Sequence, residues 1–206
     1  MIEAFLHTMP NVVAQKFVSH IEKLVANVAL WGSKMNLTAH PDDPEEIAFH
    51  VMDSLMPVFL SIDKSSMLAG QFAEGKKILD LGSGAGFPGL VLAAASSADF
   101  TLVESRRKRA SFLQVAVAEM GLKNVMIETK RAEEIGLAGE YDLVTARAFG
   151  DAKDFFTLAA QALKPGGLAM LFANPSQAVG DRDRVEYSVT RKSAKVERIL
   201  ALWRKV

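Results

Sequence analysis

In the stretch "DLGSGAGFPG", a carboxylate at Asp80 is followed by glycines at every second position: Gly82, Gly84 and Gly86. Glycine reaches backbone angles closed to other residues and keeps side chains out of a ligand's path. A second acid, Glu104, ends the next apolar run, "DFTLVE". Three ligand classes compete for such a loop. A dinucleotide wants G-x-G-x-x-G, but counting from Gly82 the sixth position is Phe87. A nucleoside triphosphate wants a lysine followed by Ser or Thr after the glycines, where this chain has Phe87 and Pro88. S-adenosyl-L-methionine carries an ammonium, a sulfonium and a ribose diol but no phosphate. An acid followed by alternating glycines suits it, and Glu104 would accept from both ribose hydroxyls, as acids at that place do in dinucleotide folds. Farther on, Ala132 and Glu133 in "KRAEEI" would set a backbone N–H and a carboxylate against an adenine edge. A helix-start acid is the plainer reading of Glu133 alone.

These residues need a scaffold that brings strand ends together. From Lys76 onward, continuous apolar runs alternate with helical stretches. The strands are expected at "KKILDL", "DFTLVE", "NVMIET", "YDLVTA" and "GGLAMLFA", with helices near 88–97, 106–120, 131–137 and 151–163. Such alternation means a parallel sheet covered on both faces. Ligands in such sheets sit at the carboxyl ends of the strands. "RVEYSVT" and "KVERILALW" read as a closing antiparallel hairpin. The fold expected is α/β, a Rossmann-like methyltransferase sheet; the strand order is not readable. Before Lys76, Val13, Phe17, Ile21, Leu24, Val28 and Trp31 recur at helical spacing, and "DDPEE" opens a second helix running to Leu60. Residues 1–75 are therefore expected to form an α-helical cap, and 76–206 the ligand-binding core.

Composition narrows the partners. The 206 residues are half hydrophobic, enough for one core, and contain no cysteine, which excludes disulfides and thiolate metal sites. The four histidines lie far apart without ligand spacing, so no metal is expected. The amino end lacks the pattern of a signal peptide and no apolar run is long enough for a bilayer, so a cytoplasmic protein without a membrane partner is expected. Net charge is zero but polarised: residues 1–75 carry 4 bases and 9 acids, residues 180–206 carry 8 and 4. Such polarity can steer a polyanion to one side. "RRKR" at 106–109 opens a helix with cations, against its dipole, which suits phosphate contact.

"LWGSKMNLTA", "HVMDSL", "DLGSGAGFPGL", "KRASFLQ", "GLKNV", "RAEE", "ARAF" and "LKPGG" follow one another in an order and spacing that resemble the ribosomal RNA small-subunit methyltransferase G family, also called glucose-inhibited division protein B. The resemblance covers roughly residues 25–173. It implies methylation of guanine N7 in the decoding-region loop of 16S ribosomal RNA, with S-adenosyl-L-methionine as donor and the RNA or the small ribosomal subunit as partner. Matched motif by motif, it also implies cofactor contacts at Gly82, Gly84, Phe87, Ala132, Glu133 and Arg147. Substrate contacts would fall at Asn36, His50 and Asp53, with Arg109 a further candidate. Each has a plainer structural reading as a turn cap, a packed side chain or an ion pair. Three positions depart from the family pattern toward fewer cations: Phe49, Ser111 and Ala173.

Guanine N7 exposes its lone pair, so no general base is needed and no catalytic residue is assigned. Asp53 is a candidate acceptor for the guanine edge, and Arg147, ending the fourth strand, could stack on a base, bind phosphate or hold a carboxylate. Two alternatives stay open: a methyltransferase acting on a small molecule or protein, and a non-catalytic cofactor- or RNA-binding paralogue. Nothing in the sequence marks an oligomer surface, and a monomer is the default.

Overall fold

The computed structural model describes residues 11–135 and 139–206, the side chains of 11–13 excepted. The amino-terminal decapeptide, the Val13 side chain and the end of the expected 131–137 helix lie outside the described residues. Helices α1 (Asn11–Met35) and α2 (Pro44–Leu60) come first. Asp43 caps α2, accepting from the N–H groups of Glu45 and Glu46, and Pro44 occupies the first turn where no N–H is missed. The chain then alternates β1 (Lys77–Leu81), α3 (Gly89–Ala94), β2 (Asp99–Val103), α4 (Arg107–Met120), β3 (Val125–Glu128), a 3₁₀ turn (Ala132–Glu134), β4 (Tyr141–Arg147) and α5 (Ala152–Ala162). It ends with β5 (Leu163–Ala173), β6 (Asp183–Arg191) and β7 (Ala194–Arg204).

The seven strands form one sheet in the order β3-β2-β1-β4-β5-β7-β6. β1 pairs in parallel with β2 and β4, and β7 alone is reversed, lying antiparallel to both β5 and β6. The order reverses beside β1, so the loop after Leu81 opens at the switch point where ligands bind in such sheets. This row also lines up, along one carboxyl edge, the residues after β3 (Ala132, Glu133), β2 (Glu104), β1 (Gly82 to Phe87) and β4 (Arg147).

The apolar interior divides across the sheet. One cluster joins Leu79, Val144, Phe155, Phe156 and Leu171 beneath α5. The other runs from the core (Ile78, Leu90, Phe100, Phe112) into the cap (Phe17, Leu24, Val28, Ile47, Val51, Leu55) without a break. Ile21 and Trp31 pack against this second cluster from α1. Helix α1 lies on α4, where Asn27 Nδ2 donates to Glu119 Oε2 at 2.7 Å. Among the described residues no helix is long and apolar enough to cross a membrane.

The hairpin between β6 and β7 turns on Lys192 and Ser193, both at positive φ (48° and 62°), where a two-residue hairpin usually places Asn-Gly. Lys192 Nζ meets Asp43 at 2.7 Å, and Arg191 Nε meets Glu46 at 2.7 Å, so the turn is fastened to the start of α2.

Candidate active site

The glycine loop is hung from the end of β2. Gly82 N and Ser83 N both donate to Val103 O, at 2.9 and 3.0 Å, and Gly86 N closes the turn on Ser83 O at 2.8 Å. All three loop glycines have positive φ, and Gly86 in addition leaves no room for a Cβ, which would fall 2.5 Å from Leu90 Cδ1. Above Gly82 there is open space, and a Cβ on Gly84 would meet only Gly82 O at 3.8 Å and Arg109 Nη1 at 3.9 Å. The loop therefore presents bare backbone to its outer side.

Two acidic side chains lie beneath it, and Glu104 is the one bonded to it. Glu104 is buried; its Oε2 accepts from Gly84 N at 3.1 Å and its Oε1 from Arg106 N at 2.8 Å. A carboxylate has about four lone-pair positions, so each oxygen can accept once more. Asp80 is fully buried, and no hydrogen bond of good geometry reaches either oxygen among the described residues. The Ser83 hydroxyl goes instead to the Asp80 backbone carbonyl at 3.1 Å. Burial pushes the Asp80 carboxyl up to about 7, and the nearby Glu104 charge adds to the rise. The carboxyl rests on Gly89, where an added Cβ would lie 2.5 Å from Asp80 Oδ2.

A cleft of about 210 Å³ opens between loop and cap, lined by Leu37, Thr38, His50, Phe87, Arg109, Arg147 and the loop backbone. Arg109 narrows it, donating from Nη2 to Asn36 O at 2.5 Å across the end of α1. Arg109 Nε and Thr38 Oγ1 are buried polar atoms without a partner among the described residues. On the other side, the His50 ring lies 5.4 Å from that of Phe87, and the Arg147 guanidinium sits 6.0 Å over Phe87. Burial and the adjacent Arg147 charge pull His50 down to about 4, so the imidazole is neutral at pH 7.

The structure thus gathers Gly82, Gly84, Phe87, His50, Arg109 and Arg147 around one cleft, with the Asn36 carbonyl on its rim and Gly86 and Glu104 behind the loop. Ala132 and Glu133 stand apart in the 3₁₀ turn two strands away on the same edge; Glu133 is exposed and Ala132 half-buried. Asp53 does not face the cleft. It is fully buried, its Oδ1 accepting from Tyr187 Oη at 2.7 Å and Arg198 Nε at 3.2 Å. Its Oδ2 accepts from Arg198 Nη2 at 3.3 Å and lies 3.5 Å from Arg147 Nη1. Arg198 also donates to Asn174 Oδ1, just past β5.

Sequence reasoning missed Tyr187, Arg198, Asn174 and Arg191. A signal for the first two existed: Asp53 occupies an inward position of an amphipathic helix, and a buried carboxylate demands partners. The Phe49 departure has a structural counterpart. Phe49 is buried beneath Arg191, whose guanidinium lies 5.4 Å over its ring, so β6 brings a cation to this part of α2. Ala173 is buried at the end of β5, and Ser111 is exposed on α4. Arg106, Arg107 and Lys108 are exposed at the start of α4, which has no side-chain cap.

Solved structures with this fold include an O-methyltransferase, so described with the word putative, from Klebsiella pneumoniae (TM-score 0.59, 14% identity, 91% of this chain and 90% of that one). Another is an RNA methyltransferase from Salinibacter ruber in complex with S-adenosyl-L-homocysteine (TM-score 0.55, 16% identity, 75% and 88%). At these identities the likeness is one of fold. Two relatives described as ribosomal RNA small subunit methyltransferase G carry more. The one from Sorangium cellulosum is 37% identical over 168 residues, 80% of this chain and 65% of the relative. The one from Borrelia duttonii is 30% identical over 195 residues, 92% and 85%. This chain spans about two thirds of the length of the first curated relatives it matches (65%, 67% and 66%). The profile of the family described as rRNA small subunit methyltransferase G matches residues 18–202, and the chain belongs to that family.

Proposed function

We propose that this protein transfers a methyl group from S-adenosyl-L-methionine to N7 of a guanine in the decoding-region loop of 16S ribosomal RNA. The observation that carries the reading is the loop itself: bare glycine backbone, a buried Glu104 beneath it, and two arginines across the cleft, in a chain of this family. The donor set suits a ligand of mixed charge. Glu104 retains an acceptor on each oxygen for a diol. Arg147 and Arg109 line the cleft and can meet a carboxylate, and among the described residues that line it there is no lysine to meet a pyrophosphate. The cleft is small for a nucleoside site because Arg109 spans it; the adenosine end would run along the carboxyl edge past Glu104 toward Ala132 and Glu133.

When bound, the cofactor supplies an electrophilic methyl on a sulfonium. A guanine N7 would take that methyl on a lone pair it already exposes, so no side chain of this chain has to take a proton. The protein's work is positioning and exclusion of water. Phe87 and neutral His50 offer an apolar, uncharged wall against which a purine can pack. Arg106, Arg107 and Lys108, exposed beside the cleft, are available to RNA phosphates. The protein acts in the cytoplasm as a monomer on the RNA or the assembled small subunit.

The test is incubation with methyl-labelled S-adenosyl-L-methionine and intact small subunits, stripped RNA, or no RNA, followed by mapping of the modified base. Label at guanine N7 of one 16S position supports the reading. Label in a protein or metabolite, or binding without transfer, overturns it.

A further inference from the structure

Of the groups around Asp53, Arg147 and His50 line the cleft; Asp53, Tyr187 and Arg198 stand behind them. Tyr187 comes from β6, where Val185, Tyr187 and Val189 alternate toward the interior. Its ring is part of the apolar cluster, and its hydroxyl ends on a carboxylate that is wholly buried. Asp53 is the junction. From α2 it receives Tyr187 of β6, Arg198 of β7 and Arg147 of β4.

The geometry ranks these contacts. Arg198 grips both carboxylate oxygens, at 3.2 and 3.3 Å, in the two-pronged fashion natural to a guanidinium. Tyr187 holds Oδ1 at 2.7 Å, while Arg147 reaches Oδ2 at 3.5 Å, the longest of the four. Arg198 holds both oxygens and the hydroxyl adds the shortest bond, to Oδ1, so together they keep the carboxylate from turning about its Cβ–Cγ bond and Oδ2 stays directed at Arg147. Arg147 is tied on its other side to His50, with Nη2 2.5 Å from Nδ1 and Nη1 3.4 Å from the carbonyl oxygen. A guanidinium is planar, so fixing both terminal nitrogens fixes the plane and the direction of Nε. That plane lies over Phe87 on the floor of the cleft.

We propose that Tyr187 is a positioning residue: its hydroxyl, acting with Arg198, locks Asp53 so that Oδ2 holds the Arg147 guanidinium in one orientation toward the glycine loop. The ligand-side consequence rests on the reading that Arg147 touches the methyl donor. The C-terminal hairpin thereby takes part in the site without reaching it.

The test compares wild type with Tyr187→Phe, Arg147→Lys and the double variant, all as the full chain. Two readouts are used: the ¹⁵N Nε–H signal of Arg147, identified by its loss in Arg147→Lys, and the affinity for S-adenosyl-L-methionine by calorimetry. Tyr187→Phe keeps the ring and its packing. It is expected to shift the Arg147 signal, speed its hydrogen exchange and weaken the cofactor about 3- to 10-fold. Arg147→Lys is expected to weaken it at least as much, and the double variant no further, because the hydroxyl acts through the arginine. An unchanged Arg147 signal in Tyr187→Phe, or losses that multiply in the double variant, overturns the proposal. If wild type itself binds no cofactor, the functional reading fails while the Arg147 signal still decides whether Tyr187 positions it.

Discussion

Asp80→Asn isolates the buried acid beneath the loop. Asp80 is fully buried and its carboxyl is pushed up to about 7 from an ordinary 3.8, chiefly by burial. Because the folded value lies above the unfolded one, the native state holds its proton where the unfolded chain has lost it. The stability this gives is complete below about pH 3.8 and is lost as pH rises through 7. A rise of about three units at about 1.4 kcal/mol per unit makes the span about 4 kcal/mol. His50 runs the other way. It is lowered from 6.5 to about 4, so its contribution grows as pH rises from 4 to 6.5. Being half-buried, it is worth about 2 kcal/mol after allowance for solvent screening. In wild type the two slopes oppose each other, and a single stability profile hides both. The difference between Asp80→Asn and wild type cancels His50 and leaves Asp80 alone. Urea unfolding of both proteins from pH 4 to pH 8 should show that difference moving by about 4 kcal/mol in favour of the variant as pH rises, whatever its value at pH 4. A difference that stays flat would refute the reasoning, placing Asp80 ionised and fully compensated throughout.

Two substitutions probe the loop. Glu104→Gln leaves one acceptor for two amides, those of Gly84 and Arg106, and orphans one of them; thermal melts should show about 1–3 kcal/mol lost, and calorimetry a cofactor affinity reduced about tenfold or more. Gly89→Ala would place a Cβ 2.4 Å from Leu102 Cδ2 and 2.5 Å from Asp80 Oδ2; denaturant unfolding should register about 1–3 kcal/mol of overpacking.

The parts of the fold written in local pattern were legible: the alternation of apolar runs with helices, the switch to a closing hairpin, and the acid-glycine loop between the first strand and its helix. Boundaries slipped where sequence pattern and pairing disagree. The stretch after β1 is helical only to Ala94, because the chain must turn through Ser96 and Ser97 to reach β2. After β3 only the 3₁₀ turn Ala132–Glu134 is helical among the described residues. β5 begins at Leu163, ahead of the expected "GGLAMLFA", since Leu163 already pairs with Tyr141. Strand order depends on pairings across the whole chain, and no local pattern encodes it. The Asp53 junction was hidden for the same reason. Its partners lie 134 and 145 residues away, and Tyr187 sits in a strand whose apolar alternation gives its hydroxyl no distinguishing mark. The loop residues could be picked out because one short segment contains them; Tyr187 and Arg198, which hold Asp53, could not, because they come from two strands far from it in sequence.

Calorimetric titration of the full chain with S-adenosyl-L-methionine, run beside a nicotinamide dinucleotide, tests the central claim most directly. A loop of bare glycine backbone over Glu104, faced by Arg109 and Arg147, should bind the sulfonium nucleoside with micromolar or better affinity and leave the dinucleotide unbound. Tight binding of the dinucleotide, with no heat from S-adenosyl-L-methionine, would contradict it.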